Sequence, residues 1–478
     1  MEKFKRAGCA DKRAQGKQGL LPFGFEAARK PMELTAQAGL TLVAETLMAL
    51  GAEALVSSEL RLRKRQRGLS EYDKLQAIVL LLAAGGDCVE DVRKLRDDAA
   101  LTKLLVRPTP SPDALHEFLS LFHDDSQEQR RPEKGAFIPS ENVALRGLFR
   151  IHSELVRRAV LVQGPKVATL DLDATVIESH KRAALPHYKG GRGYQPTAVL
   201  WAEQDLVVAD EYRDGNVPAG MNTKQVAQDA FSTLPKSVQQ RRFRGDSACY
   251  DESLLKWLCK ERIAFTISAD ISPSLRAVCM SPSVSWQVFE DRPHEVVALS
   301  EVEFTPGDWH KSATPLRYVA LRFSGKQGRL FSDGSDTKYL AVVSNREDLD
   351  AAEIVGWHWE KAGTIELLHD VTKNDLAARL PPSGKFGANA AWYRLNLLTY
   401  NVLSVLKRQA LPERLHHARP KRLRYELFTV PAILRHHARK LTAQLGASPL
   451  TVDELVKARG RLRDLHHQIH QILDEKRA

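Results

Sequence analysis

Two aspartates, Asp171 and Asp173, close a run of apolar and β-branched residues, Val167-Ala168-Thr169-Leu170. On a strand, positions i and i+2 share a face, so both carboxylates leave the strand end in one direction. Hard oxygen ligands on a rigid element suit Mg²⁺ or Mn²⁺. A second short strand, Arg242-Phe243-Arg244-Gly245, delivers Asp246 just before Ser247-Ala248 and a helix expected over 250–260. On a neighbouring strand, Asp246 would complete a metal site. A third segment, from Trp357 to Lys373, has helix-compatible spacing and carries Glu366 and Lys373 two turns apart on one face. The plainer alternative for Asp171 and Asp173 by themselves is an edge strand showing acids to water.

These acids belong to a basic chain. Lys and Arg total 70 against 59 Asp and Glu, a net charge of +11 over 478 residues. Cationic side chains gain binding energy by displacing counterions from phosphates, so gathered acids in such a chain point to metal-dependent chemistry on phosphates. Charge alone does not establish this, because many basic proteins bind no nucleic acid.

The elements between the acids must position them. Strands expected over 198–202 and 206–213 face each other across Glu203-Gln204-Asp205 as an antiparallel hairpin. A helix over 223–234, the strand ending at Asp246, a further helix and a strand over 263–268 complete an α/β, ribonuclease H-like order. That order sets Asp173 and Asp246 on adjacent strands. Strand-like periodicity between 270 and 345 predicts a β-rich insertion ahead of Glu366.

The order Asp173 (in Asp-x-Thr, with Thr175), Asp246 (in Arg-Gly-Asp-Ser-Ala), then Glu366 with Lys373 resembles the DDE transposases of bacterial insertion sequences. The likeness is nearest to the branch marked by Tyr-x2-Arg-x3-Glu-x6-Lys, and within it to insertion sequence family 1380. It runs from about Gly39 to Leu441 and includes Gly-Arg-Gly-Tyr-Gln-Pro at 191–196 and Phe-Gly-Ala-Asn at 386–389. Trp359 stands where that signature has Tyr, and Ala362 where it has Arg.

The resemblance implies that Asp173, Asp246 and Glu366 are catalytic and hold two Mg²⁺ ions, with Mn²⁺ as a substitute. It implies that Lys373 and Trp359 contact DNA; Asp171 and Thr175 are expected, from their place beside Asp173, to support the site. The activity implied is phosphodiester cleavage at the element ends and transfer of the 3′-hydroxyl into target DNA. The partners would be double-stranded DNA, both terminal inverted repeats and target, and a second copy of the chain in a homodimer.

The flanking regions follow. Residues 1–30 read as a flexible basic arm, and 31–125 as a helical DNA-binding domain. In the latter, Ser70-Glu71-Tyr72-Asp73 resembles a capping box that opens a helix to Ala84, with Gly85-Gly86 ending it. Arg61, Arg63, Lys64 and Arg65 form a basic run there, and Arg192 lies in a Gly-rich loop; both are candidate phosphate contacts. Catalytic core is expected over 140–269 and 346–410, around the insertion at 270–345. The tail from 386 is expected to be helical, its last part, 411–478, being a basic helical region with clusters at 419–424 and 435–440. Trp286 and Trp309 in the insertion are candidates for stacking on a base, with core packing as the ordinary alternative. His466, His467 and His470 read as surface histidines.

Five scattered cysteines without a Cys-x-x-Cys pair predict a reducing compartment and no disulfide framework. The longest apolar run, 77–84, is too short to span a bilayer. The expectation is therefore a cytoplasmic, nucleoid-associated bacterial protein with no membrane partner. Two rivals remain. Asp171-Leu172-Asp173-Ala174-Thr175 also looks like the first motif of haloacid dehalogenase-like phosphatases, with Asp171 as nucleophile. An inactive, DNA-binding transposase derivative is the other, suggested by Ala362.

Overall fold

The strand that carries Asp171 and Asp173, β1 (Val167–Ala174), is buried from Ala168 to Leu172. A strand covered on both faces reads as a continuous apolar run, which is why the sequence shows little alternation before Asp171. Next come β2 (Thr197–Trp201) and β3 (Leu206–Glu211), each antiparallel to its predecessor. On the other side of β1, β4 (Gln240–Gly245) runs parallel to it, and β5 (Ala264–Ala269) runs parallel to β4. The resulting order β3-β2-β1-β4-β5 is the one expected of a ribonuclease H-like core. This computed structural model describes residues 33–63, 68–309, 316–326, 331 and 334–476. The arm expected over 1–30, and Lys64 and Arg65, lie outside the described residues.

The β-rich insertion extends this sheet. Its strands are β6 (Gln287–Asp291), β7 (Glu295–Val302), β8 (Arg317–Gly325) and β9 (Thr337–Ser344). β9 pairs antiparallel with β5, from Ala341 opposite Ala269 to Ser344 opposite Thr266. Among the described residues one nine-stranded mixed sheet results, in the order β6-β7-β8-β9-β5-β4-β1-β2-β3.

Helices cover the sheet and build the N-terminal region. α1 (Thr41–Ala49) and α2 (Ala52–Glu59) precede α3 (Glu71–Ala84), whose Ser70 N-cap and Asp73 make the expected capping box. Gly85 ends α3 with a left-handed φ of 92°. α4 (Pro112–Ser120) starts at the Ser111 cap and α5 (Val143–Ala159) at the Asn142 cap. After the insertion, α6 (Ala351–Trp359) seats Ile354 and Val355 on Val297, Leu299, Val319, Leu321 and Val342 of the added strands. α7 (Ile365–Asp375) follows and carries Glu366.

α8 (Phe386–Val405) is buried from Gly387 to Val405. Its charge there is paired: Arg394 donates to both oxygens of Asp210, at 2.8 and 3.1 Å, and to Glu141 at 2.6 Å. A buried guanidinium without such partners would cost several kcal/mol, roughly.

The tail departs from expectation. α9 (Pro449–Glu475) is helical, but 432–445 is a β-hairpin, Ala432–His437 paired with Lys440–Leu445. Leu34–Thr35 adds a third strand at its base. Pro431 disfavours helix just before the hairpin. Ala438 and Arg439 form its turn without a Gly or Asn to announce it.

Candidate active site

The register of β1 and β4 gathers the first two acids. Leu172 lies opposite Gly245, so the next residues, Asp173 and Asp246, leave neighbouring parallel strands side by side. The region beyond the carboxyl ends of parallel strands is where open α/β sheets bind ligands. Space demands the glycine: a Cβ at 245 would lie 2.6 Å from Sγ of Cys249 and 2.7 Å from its Cβ. Asp246 caps the turn that follows, accepting from the Ala248 N–H at 3.1 Å.

Burial pushes the Asp173 carboxyl up to about 6; Lys361 opposes this, while Asp246 and Glu366 push it further up. Nζ of Lys361 stands 3.9 Å from Oδ1 of Asp173. Glu366 is exposed in the first turn of α7, within electrostatic reach of Asp173. Among the described residues, no three His, Cys, Asp or Glu side chains are drawn close enough to hold a metal ion. The donor chemistry nevertheless fits one. Asp173, Asp246 and Glu366 are hard oxygen donors, and a divalent cation would offset the burial, and then the neighbouring carboxylate charge, that keeps Asp173 hard to ionise.

α7 brings two more groups to this end of the sheet. Lys373 donates to Oγ1 of Thr175 at 2.7 Å, and burial, then the charge of Lys189, lowers its pKa. His369 is buried, with Nε2 3.7 Å from Oδ2 of Asp173, too long for a hydrogen bond. Neither ring nitrogen has a hydrogen-bond partner. Burial drives its pKa down to about 3, so the ring is neutral. Lys361 and His369 escaped the sequence reading, although His369, three residues after Glu366, falls on the same helical face.

Asp171 does different work. It is fully buried and accepts from Nε and Nη2 of Arg244 at 2.6 and 3.0 Å, and from the Thr364 hydroxyl. Arg244 also donates to the Trp357 carbonyl at 2.7 Å and to Glu360 at 2.8 Å. A single buried ion pair thus ties β1 and β4 to the start of α7. This arrangement overturns the phosphatase reading. The would-be nucleophile is enclosed and paired, and β2 is antiparallel to β1 where that fold needs a parallel crossover.

The remaining candidates lie elsewhere. Trp359 packs edge-on against Phe289 at 5.5 Å, with the Arg292 guanidinium 5.1 Å from its ring. Arg192 donates to the carbonyls of Ala184 and Arg182 at 2.9 and 3.1 Å, bracing its own loop. Arg63 pairs with Glu117, and Arg61 is exposed. Trp286 stacks with Arg322 at 4.8 Å, and Trp309 lies 5.2 Å from Tyr250. His466 and His470 sit with ring centroids 4.2 Å apart on α9. Among the described residues Cys88, Cys249, Cys259 and Cys279 are free thiols, and no single helix is long and apolar enough to cross a membrane.

Comparison with known proteins gives the family. No curated protein matches the chain. Among solved structures, the cryo-EM structure of a piggyBac transposase synaptic complex with hairpin DNA aligns at 11% identity and a TM-score of 0.43. That alignment covers 93% of this chain and 82% of the other. A family profile described as transposase DDE domain, group 1, matches residues 26–467, nearly the whole sequence. The chain belongs to the DDE transposase family.

Proposed function

We propose that this protein is the cut-and-paste transposase of an insertion sequence, of the branch with the Tyr-Arg-Glu-Lys signature and most like family 1380. What supports the reading is that Asp173 and Asp246 leave adjacent parallel strands side by side, with the charge of Glu366 felt at Asp173 and with Lys361 and Lys373 at the same end of the sheet. The substrate is double-stranded DNA, first the terminal inverted repeats and then the target, handled by a homodimer.

Asp173, Asp246 and Glu366 would hold two Mg²⁺ or Mn²⁺ ions. Bound there, the ions supply Lewis-acid stabilisation of the phosphate and a more acidic water. The chain's own residues do the rest. Lys373, fixed by Thr175, would hold a phosphate oxygen. Lys361 offsets the carboxylate charge that would repel the DNA backbone. Arg244 and Asp171 keep the two catalytic strands in register with α7. Water, and then the freed 3′-hydroxyl, attacks phosphorus, so each step exchanges one phosphodiester oxygen for another and needs no covalent protein intermediate. The protein would act in the bacterial cytoplasm at the nucleoid.

The test is a plasmid bearing the element with its native flanks, incubated with purified protein and Mg²⁺, with 3′ ends mapped at both flanks. Paired cuts at inverted repeats, absent from Asp173→Asn and Glu366→Gln, support the reading. DNA binding without cutting by the wild type would identify an inactive derivative instead.

A further inference from the structure

The hairpin of Ala432–His437 and Lys440–Leu445 carries charge for which the catalytic site has no use. Its register runs from Ala432 opposite Leu445 to His437 opposite Lys440. Leu34–Thr35 pairs with Ile433 and Ala432 and the Glu33 carbonyl accepts from the Leu434 N–H at 2.8 Å, so among the described residues the ladder from Arg435 outward has no third strand. At about 3.3 Å per residue, the pairs from Arg435 to His437 reach ~10 Å. Arg435, His436, His437, Arg439 and Lys440 are all exposed on this extension. Residues 432–445 contain no Asp or Glu. Along the extension, His436 meets Glu33 at 3.2 Å and Arg435 meets Gln444 at 3.2 Å. At the tip, Arg439 and Lys440 form no ion pair among the described residues.

The turn is also strained. Ala438 and Arg439 have φ of 46° and 64°, the left-handed values that a two-residue turn of this hand requires and that Asn-Gly adopts most easily. A turn selected for hairpin stability would carry Asn-Gly. Arg439 therefore stands at the tip in a backbone conformation that an L side chain adopts at some cost.

We propose that this hairpin is a DNA-contacting finger, with Arg439 and Lys440 on the backbone phosphates of the duplex. The inference rests on the transposase reading above and adds to it a contact surface outside the catalytic site. A two-stranded ribbon matches the major groove, about 12 Å wide. Cations without protein partners exchange counterions for phosphates on binding. The single sign of the charge favours nucleic acid over a protein surface, and Leu441 is the only large exposed apolar side chain within 432–445.

The experiment uses the full-length protein and fluorescence anisotropy on two labelled duplexes, one with the element's end sequence and one unrelated, across a salt series. Arg439→Gln with Lys440→Gln is expected to weaken binding to both duplexes about equally. It should lower the slope of log affinity against log salt by about 2. Ala438→Asn with Arg439→Gly installs the turn the backbone prefers while removing the guanidinium. This variant should lower the slope by about 1 while melting no lower than the wild type. Wild-type slopes in both variants would overturn the finger, as would loss of self-association with DNA binding unchanged. Failure of the wild type to bind either duplex would overturn the transposase reading itself.

Discussion

Arg244 grips Asp171 with two guanidinium nitrogens, at 2.6 and 3.0 Å, inside a part of the protein where neither side chain meets solvent. The pair joins adjacent strands, and the spare guanidinium nitrogen reaches the segment that leads into the Glu366 helix. Removing one partner leaves an uncompensated buried charge. Arg244→Ala should therefore cost about 3–5 kcal/mol of stability. Arg244→Lys should recover little of it, since one ammonium cannot reproduce the two-pronged contact. Denaturant unfolding measures both, and an unshifted midpoint in Arg244→Ala would refute the role.

Asp173, two residues on, should behave oppositely. Its carboxyl is pushed up to about 6, above the unfolded value near 4, so ionisation opposes folding. The sign follows: below about pH 4 the group contributes nothing, and the penalty grows as pH rises to 6, then stays. In metal-free buffer at pH 8, Asp173→Asn should gain up to ~2–3 kcal/mol while cutting is abolished. A variant that melts lower at pH 8 than the wild type would show that this burial penalty is not felt.

Lys361 stands 3.9 Å from Asp173 and favours its ionised form. Lys361→Ala should reduce strand cleavage at least about tenfold, the effect of some 1.4 kcal/mol in the transition state. Lys361→Arg should restore most of it, because charge rather than shape is required. Single-turnover cleavage rates on a labelled element end decide this, and equal rates in Lys361→Ala would remove the residue from the site.

His358 supplies a pH dependence away from the carboxylates. Burial holds its pKa down to about 3, and its ring meets Ser268 at 3.0 Å and Thr266 at 3.2 Å. The folded value lies below the unfolded 6.5, so the unfolded state binds the proton first. Stability from the neutral ring is complete above about pH 6.5 and declines from there towards pH 3, by ~1.4 kcal/mol per pH unit. Melting temperatures of His358→Gln should fall less steeply between pH 6.5 and 5 than those of the wild type. Parallel curves would contradict the assignment.

Gly245 offers a steric test. Gly245→Ala forces a methyl against Cys249 at 2.6–2.7 Å, and overpacking of this kind costs ~1–3 kcal/mol. Because the turn positions Asp246, cleavage should fall more than stability predicts. Comparing the unfolding midpoint with the cleavage rate separates the two effects.

Local chemistry made much of this protein legible in its sequence. Capping at Ser70 and Asp73, the hairpin after β1 and the apolar strand ending in Asp173 each depend on residues close in the chain. The spacing of Glu366 and Lys373 is likewise helical geometry. Tertiary structure decided what depends on distant partners. Asp171 and Asp173 look alike in sequence, yet Arg244, 73 residues away, neutralises one, while burial and then the charges of Asp246 and Glu366 make the other hard to ionise. Trp359 shares the segment of Glu366, but Phe289 and Arg292 of the insertion determine what its ring touches. Residues 435–440 carry a basic pattern that either helix or hairpin allows. Pairing along Ala432–Leu445 selected the hairpin, because backbone hydrogen bonds between strands are made only once the chain has folded back.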